Sequence, residues 1–176
     1  LPAAYFMVTF TLPAQLRRLM WRHQDVLYDV LFRAAAETLK TIAHNNHRIE
    51  IGFTGVLHTH TRRLDYHPHI HFIVPGGGIS VDKNGSYWKI FKGNYFVNEL
   101  ALAKVFRGIF LRYLADLEIE TPRDLPSQWV ANIKCVGRGA KALRYLSRYL
   151  YRGVVSQNNF QTDRQQVRLR YQDSKT

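Results

Sequence analysis

The chain has one cysteine, Cys135, among its 176 residues. A disulfide scaffold is therefore excluded, and so is a cysteine-rich zinc site within these residues. No apolar run approaches the roughly 18 residues of a transmembrane helix. The opening LPAAYFMVTF has no basic segment before an apolar core, so it does not predict a signal peptide. We expect a single domain over residues 1–176 that is a fragment of a longer protein.

Acidic residues are scarce. Thirteen Asp and Glu accompany 25 Lys and Arg, which gives a net charge of +12. Such a charge favours a polyanionic partner, although basic proteins without a nucleic-acid role also exist. Between Arg138 and Arg170 the sequence has eight basic residues and one acid, Asp163. We therefore expect nucleic acid to bind the C-terminal part, where one narrow apolar stripe makes a membrane surface a poorer fit.

The order of elements predicts the fold class. The predicted strands are at 5–12, 48–60, 68–74 and 128–136, and the predicted helices are at 14–44 and 98–117. A further helix is entered through Gly137 and Gly139 and ends near 152. Two short strands follow it, the last at 167–171. A polar hairpin at 79–91 is predicted as an insertion. The remaining order, β-α-β-β-α-β, is that of a ferredoxin-like or RNA-recognition-like plate. We predict an α+β fold with an antiparallel central sheet and an added C-terminal helix that carries tyrosines.

Five of the eight histidines lie between residues 57 and 71: His58, His60, His67, His69 and His71. Alternate residues of a strand share a face at about 6.6 Å spacing, so His69 and His71 can point at one ion. A hairpin between the two strands would bring further histidines beside them. This predicts a metal site formed by His69, His71 and His60. His60 is preferred because it lies nearer the turn, and His58 is the alternative.

A histidine pair on a strand also occurs without any metal, so the pattern alone is not diagnostic. His67 precedes Pro68 at the predicted strand entry. We interpret it as a turn or surface histidine rather than a ligand.

The segment GAKALRYLSRYLYRG, residues 139–153, predicts an amphipathic helix. At 100° per residue, Leu143, Leu146 and Leu150 form a narrow apolar stripe. Tyr145 and Tyr149 lie one turn apart at the border between this stripe and a basic arc. Such a pair is commonly packing, but a phenol beside cations and a metal can attack a phosphodiester. Tyr145 and Tyr149 are thus candidate nucleophiles, and the candidate DNA-binding residues are Arg138, Lys141, Arg144, Arg148 and Arg152.

Together these motifs resemble the HUH superfamily of single-strand DNA endonucleases. HIH at 69–71 is similar to the metal-binding motif of that superfamily, VTFTLP at 8–13 to its first-strand motif, and YLSRY at 145–149 to its two-tyrosine form. Within the superfamily, FTLP, HPHIHFIVPGGG and ALRYLSRYLYRGVVS are most similar to the rolling-circle transposases of bacterial insertion sequences.

The resemblance implies a transposase catalytic domain that acts on single-stranded DNA, with a hairpin at the element end. It implies a divalent cofactor, Mg²⁺ or Mn²⁺, and a tyrosine that becomes linked to a 5′ phosphate. Imidazole ligands suit Mn²⁺ better than Mg²⁺. It also implies a bacterial, cytoplasmic, nucleoid-associated protein with no membrane partner, and it leaves the oligomeric state open. Such transposases carry a cysteine-rich zinc segment before this domain, and its absence here agrees with the expected fragment.

Three alternatives remain open from the sequence. A rolling-circle replication initiator or a relaxase would use the same chemistry on a different DNA site. A non-enzymatic nucleic-acid-binding domain with a structural metal would bind DNA without cutting it. A metal-dependent hydrolase with a water nucleophile would cut DNA without becoming linked to it.

Overall fold

The computed structural model describes residues 3–61, 63–91, 96–140, 142, 144, 147, 160–162 and 166–169. The strands are β1 Ala4–Thr11, β2 Thr54–His60, β3 Tyr66–Pro75, β4 Gly77–Asp82, β5 Gly85–Ile90, β6 Val130–Arg138, β7 Phe160–Thr162 and β8 Val167–Leu169. The helices with complete bounds are α1 Arg17–Arg22, α2 Gln24–His47 and α3 Glu99–Asp116, and a 3-10 turn at Ala14–Leu16 precedes α1. Residues 139, 140, 142, 144 and 147 are also helical.

The main sheet has four antiparallel strands in the order β2-β3-β1-β6. β1 and β3 are therefore central, and β2 and β6 are edge strands. α2 follows β1, and α3 precedes β6. This is the β-α-β-β-α-β plate that the order of elements predicts, so the α+β fold class is confirmed.

The hydrophobic core lies between one face of this sheet and the helices α2 and α3. The ring of Phe10 in β1 lies 4.7 Å from that of Phe106 in α3, and Phe72 in β3 lies 6.2 Å from Phe32 in α2. Buried residues alternate along β3, and along β1 apart from Met7, which is also buried, because successive side chains point to opposite faces. The opposite face carries the odd-numbered residues of β3, which include the histidines.

The helical segments differ from their predicted bounds. The predicted helix at 14–44 is interrupted at His23, whose φ of −128° and ψ of 44° are not helical. α2 then continues to His47, whose Nε2 lies 3.0 Å from the backbone oxygen of Phe96. This tertiary contact holds a last turn beyond residue 44, where the predicted helix ends. No helix in the described part of the chain is long and apolar enough to cross a membrane.

β4 and β5 form a separate two-stranded hairpin, where the sequence predicts one at 79–91. The turn ends at Gly85, whose φ of 117° favours glycine. Ser80 and Lys89 donate hydrogen bonds to backbone oxygens of Arg48 and His47 at the end of α2. The hairpin is therefore anchored at the C-terminal end of α2.

Glu37 of α2 links the two long helices. Arg112 Nη2 donates to its carboxylate oxygens at 2.7 and 2.8 Å, and the Tyr113 hydroxyl donates at 2.6 Å. The hydrogen bond from Tyr113 and then that from Arg112 lower the pKa of Glu37 below its ordinary value of 4.5. A carboxyl group whose pKa is lowered by folding stabilises the protein above the unfolded-state pKa. That stabilisation is lost as the pH falls through the folded-state pKa.

Glu37→Gln is expected to lower the free energy of unfolding by about 1 kcal/mol near neutral pH, since the group is partly exposed and screened. The loss should shrink as the pH falls below the ordinary carboxyl pKa of 4.5, and it should disappear once Glu37 itself is protonated. Urea denaturation of the wild type and the variant, at neutral pH and at acidic pH, measures the difference in the free energy of unfolding. Asp29→Asn, which removes an exposed 3.7 Å ion pair with Arg33, is the control and should change stability little. An equal loss for Glu37→Gln at both pH values would contradict a role for the carboxylate charge.

Candidate metal centre

Three histidines converge on the sheet face opposite the helices. His58 comes from β2, and His69 and His71 come from β3. One ligand nitrogen of each lies within 4.8 Å of those of the other two, and all three residues are half-buried. The ring centroids of His58 lie 5.3 Å from those of His69 and 4.7 Å from those of His71, while His69 and His71 are 4.9 Å apart. Three imidazoles this close can hold one divalent ion.

The antiparallel pairing of β2 and β3 brings the third histidine to this site. His58 pairs directly with His69. Directly paired residues share a face, with Cβ atoms about 5 Å apart. His69 and His71 share a face because they alternate along β3. His58 lies on the same face as the cross-strand neighbour of His69, and it completes the group of three histidines.

His60, the preferred third ligand in the sequence-based prediction, lies outside the cluster, and the histidine that lies beside His69 and His71 is the alternative, His58. The pairing register shifts between His58 and His60, so that His60 pairs with Tyr66. Two residues of β3, His67 and Pro68, thus lie opposite a single residue of β2. Proline has no N–H to donate, and inside sheets it is found at such bulges. The shift changes the neighbour that His60 meets, and its ring packs 5.6 Å from Tyr66.

Hydrogen bonds at Nδ1 orient the two β3 histidines. His69 Nδ1 lies 2.6 Å from the backbone oxygen of His67. A carbonyl oxygen only accepts, so Nδ1 carries the proton and the lone pair is on Nε2. His71 Nδ1 lies 2.9 Å from Thr9 Oγ1, and Thr9 pairs with His71 across β1 and β3. A ligand bond from His71 Nε2 would leave Nδ1–H to donate to this hydroxyl.

Burial keeps the imidazole rings of His69 and His71 in the neutral form, which is the form that binds a metal ion. Burial lowers the pKa of His69 below its ordinary value. Burial, and then the neighbouring His69 and His58, lower the pKa of His71 to about 3. Both imidazoles are thus neutral near pH 7, as metal binding requires. A cluster with imidazole donors alone fits Mn²⁺ better than Mg²⁺, which prefers oxygen ligands.

Thr9→Val is expected to lower the affinity for Mn²⁺ about 10- to 100-fold, because it removes the hydroxyl that orients His71. Calorimetric titration of the protein with MnCl₂, without DNA, measures this. Thr9→Ser keeps the hydroxyl and should bind like the wild type. If Thr9→Val also binds Mn²⁺ like the wild type, the Thr9 hydroxyl does not orient a ligand.

The other candidate residues lie C-terminal to this cluster. Arg138 is exposed at the end of the edge strand β6, and Arg144 is exposed and helical. Gly137 near the end of β6 and Gly139 just after it have φ values of 96° and 58°, which favour glycine. The remaining candidates lie outside the described residues: Lys141, Tyr145, Arg148, Tyr149 and Arg152.

Sequence reasoning missed two residues beside the cluster. Thr9 lies in the VTFTLP motif, but its contact with His71 depends on the pairing of β1 with β3. Arg17 Nη2 donates to His67 Nδ1 at 2.8 Å, across 50 residues of sequence. Burial, then Arg17 and His69, lower the pKa of His67. No sequence pattern marks the Arg17 contact, since it forms only when α1 docks against β3.

Comparison with known proteins gives the family. The family described as "Putative transposase" (Y2_Tnp) matches residues 52–176. The "Putative transposase y4qJ" of Sinorhizobium fredii is 34% identical over 98% of this chain and 49% of its own length. The transposase for insertion sequence element IS801 of Pseudomonas savastanoi pv. phaseolicola is 30% identical over 96% of this chain and 45% of its own length. The chain thus spans about half the length of the curated relatives it matches.

The structure of TrwC complexed with a 27-mer DNA comprising the recognition hairpin and the cleavage site has a similar fold. The TM-score is 0.51 at 15% identity, over 82% of this chain and 55% of that chain. This likeness shows the fold alone, and it agrees with the HUH plate expected from the motifs. The family match covers well over half of the sequence. The chain therefore belongs to this transposase family.

Proposed function

We propose that this protein is the catalytic domain of a DNA transposase that cuts and rejoins single-stranded DNA at the ends of its element. The observation that carries the proposal is the cluster of His58, His69 and His71 on the open face of the sheet. Membership of a transposase family supports the biological role. The basic sequence beyond β6, in which Arg144 is exposed, supports nucleic acid as the substrate.

The chain's own residues prepare the metal site. His58, His69 and His71 would hold the divalent ion, Mn²⁺ or Mg²⁺. When bound, this ion supplies Lewis-acid polarisation of the scissile phosphate. The hydrogen bonds at Nδ1 of His69 and His71 hold both rings in place before any ligand arrives, so little reorganisation is needed.

Tyr145 or Tyr149 is the proposed nucleophile. The phenol loses its proton and its oxygen attacks the phosphorus in line. A bond to the 5′ phosphate forms, the bond from phosphorus to the 3′ oxygen breaks, and that oxygen leaves as a free 3′-OH. Attack by a 3′-OH on the phosphotyrosine later restores a phosphodiester and releases the phenol. The bond count is conserved, so rejoining needs no ATP, and two tyrosines allow two successive attacks.

The substrate in this proposal is single-stranded DNA with a hairpin near the cleavage site. Arg138 and Arg144, together with Lys141, Arg148 and Arg152, would neutralise its phosphates. The fold relative TrwC was solved with DNA comprising a recognition hairpin and a cleavage site, which supports this class of substrate.

The test is a denaturing protein gel of the protein mixed with labelled single-stranded DNA from an element end, or a random pool, plus Mn²⁺. The proposal expects label that migrates with the protein and disappears with EDTA. Cleavage without linked label would support a water nucleophile instead. Binding without cleavage would support a structural metal in a binding module. A relaxase or replication initiator would form the same linked product, but on transfer or replication origins rather than on element ends.

A further inference from the structure

The short helix α1 lies against the start of β3. Leu16 and Met20 are fully buried and fix the position of this segment. Arg17 and Trp21 are one helical turn apart, so they project from the same side of α1. They reach two consecutive residues of β3, His67 and Tyr66. A cation and an aromatic ring are thereby placed next to each other at the strand entry, beside the histidine cluster.

Arg17 brings a positive charge to the border of the cluster. It donates to His67, whose ring lies 5.3 Å from that of His69. In the part of the chain that the structure describes, no carboxylate forms an ion pair with Arg17. The Nε of Arg17 is also shielded from solvent, and it has no hydrogen-bond partner among the described residues. Shielding a charged donor without a partner costs desolvation, and the charge of an anion at the accessible part of the half-buried Arg17 side chain would offset that cost.

Trp21 offers a flat surface to solvent. Its side chain is 58% exposed, which is high for a tryptophan. Its ring meets that of Tyr66 at 5.0 Å and an angle of 84°, so the two rings meet edge to face and do not stack. Tyr66 is held by a 2.9 Å hydrogen bond between its hydroxyl and that of Tyr28 in α2. Trp21 therefore rests on a fixed support while a face of its indole stays open.

We propose that Arg17 and Trp21 form a nucleotide-binding subsite for single-stranded DNA, in which Arg17 binds a backbone phosphate and Trp21 stacks on a base. The subsite rests on the proposed function for its substrate class, and it holds the strand next to the phosphate that is cut. Arg18 and Arg22 are exposed on the same helix and add positive charge along this path.

This subsite favours single strands over duplexes. In a duplex the base faces are stacked on one another, whereas a single strand can turn a base onto an aromatic side chain. Every base has such a face, so Trp21 would tolerate many sequences. Its contribution is to affinity and to the position of the strand, while recognition of a particular DNA site would depend on other contacts.

Fluorescence anisotropy with a labelled oligo(dT), in EDTA so that no cleavage occurs, tests the subsite. Trp21→Leu should weaken binding about 5- to 100-fold, the loss of one base-stacking contact, and Trp21→Phe should recover most of it. Arg17→Gln should reduce the slope of log affinity against log salt by about 1. Tyr87→Leu on β5 removes another exposed aromatic ring, 47% exposed, and should bind like the wild type. Circular dichroism checks that each variant is folded.

A folded Trp21→Leu protein with wild-type affinity would overturn the subsite. If that variant does not fold, ultraviolet cross-linking of the wild type to an oligonucleotide with 5-bromodeoxyuridine decides instead. The expected cross-linked peptide contains Trp21, and cross-links confined to other peptides would refute the proposal. If the protein forms the linked DNA product but Trp21→Leu does not change binding, the subsite is refuted and the proposed chemistry stands. If Trp21→Leu weakens binding but the protein forms no linked DNA product, the proposed chemistry is refuted and the subsite stands.

Discussion

A protein with both Tyr145→Phe and Tyr149→Phe is expected to form no detectable covalent complex with single-stranded DNA. Phenylalanine keeps the ring but removes the oxygen that is proposed to attack the phosphate, so the linked product should not form. Binding measured in EDTA should stay within about threefold of the wild type, because the basic residues proposed to contact phosphates are unchanged. The measurement is the denaturing gel with labelled DNA and Mn²⁺, beside anisotropy on the same preparation.

Single variants separate the roles of the two tyrosines. If one phenol makes the first attack and the other makes the second, one single variant loses the first linked product. The other variant keeps that product and loses the rejoined strand. Tyr151→Phe is the matched control on the same segment and should keep both activities. Linked DNA that persists in the double variant would exclude both tyrosines as the nucleophile.

His58→Ala is expected to lower the affinity for Mn²⁺ by about 100-fold or more, and His60→Ala to change it by less than about threefold. Removal of residues that merely orient metal ligands costs about 10- to 100-fold, so loss of a ligand should cost at least as much. His60 packs against Tyr66 and is not part of the cluster. Calorimetry with MnCl₂ measures the affinity, and the rate of linked-product formation at fixed Mn²⁺ should follow the same order.

The two variants are matched, since each removes one imidazole from the same edge strand two residues apart. His69→Ala supplies the positive control, because His69 belongs to the cluster under either assignment. A larger loss for His60→Ala than for His58→Ala would restore His60 as the third ligand. It would also mean that the bulge between β2 and β3 rearranges when metal binds.

Much of the fold could be predicted because local pattern and tertiary structure agree. The alternation of β3 places Ile70, Phe72 and Val74 in the core, and it leaves His69 and His71 on the other face. Period-two burial is a property of the strand itself, so it is visible in one sequence.

The element ends were less predictable, since they depend on distant partners. α2 runs to His47, which contacts Phe96 from a segment 49 residues away. The bulge between β2 and β3 did have a local signal. Pro68 is the first residue of the predicted strand at 68–74, and it cannot donate a hydrogen bond if the ladder extends past it, as it does in β3 from Tyr66. An irregular ladder at this point means that His58 and His60, the two alternatives for the third ligand, do not have equivalent neighbours on β3.

The sequence by itself determined the class of fold, the pair His69 and His71, the basic C-terminal region and the transposase resemblance. Each depends on residue type and spacing along a single element, which the sequence contains directly. The tertiary structure alone decided that His58 joins the pair, that Thr9 supports His71, and that Arg17 reaches His67. These contacts join residues from different elements, so they are determined by strand register and helix docking rather than by local pattern.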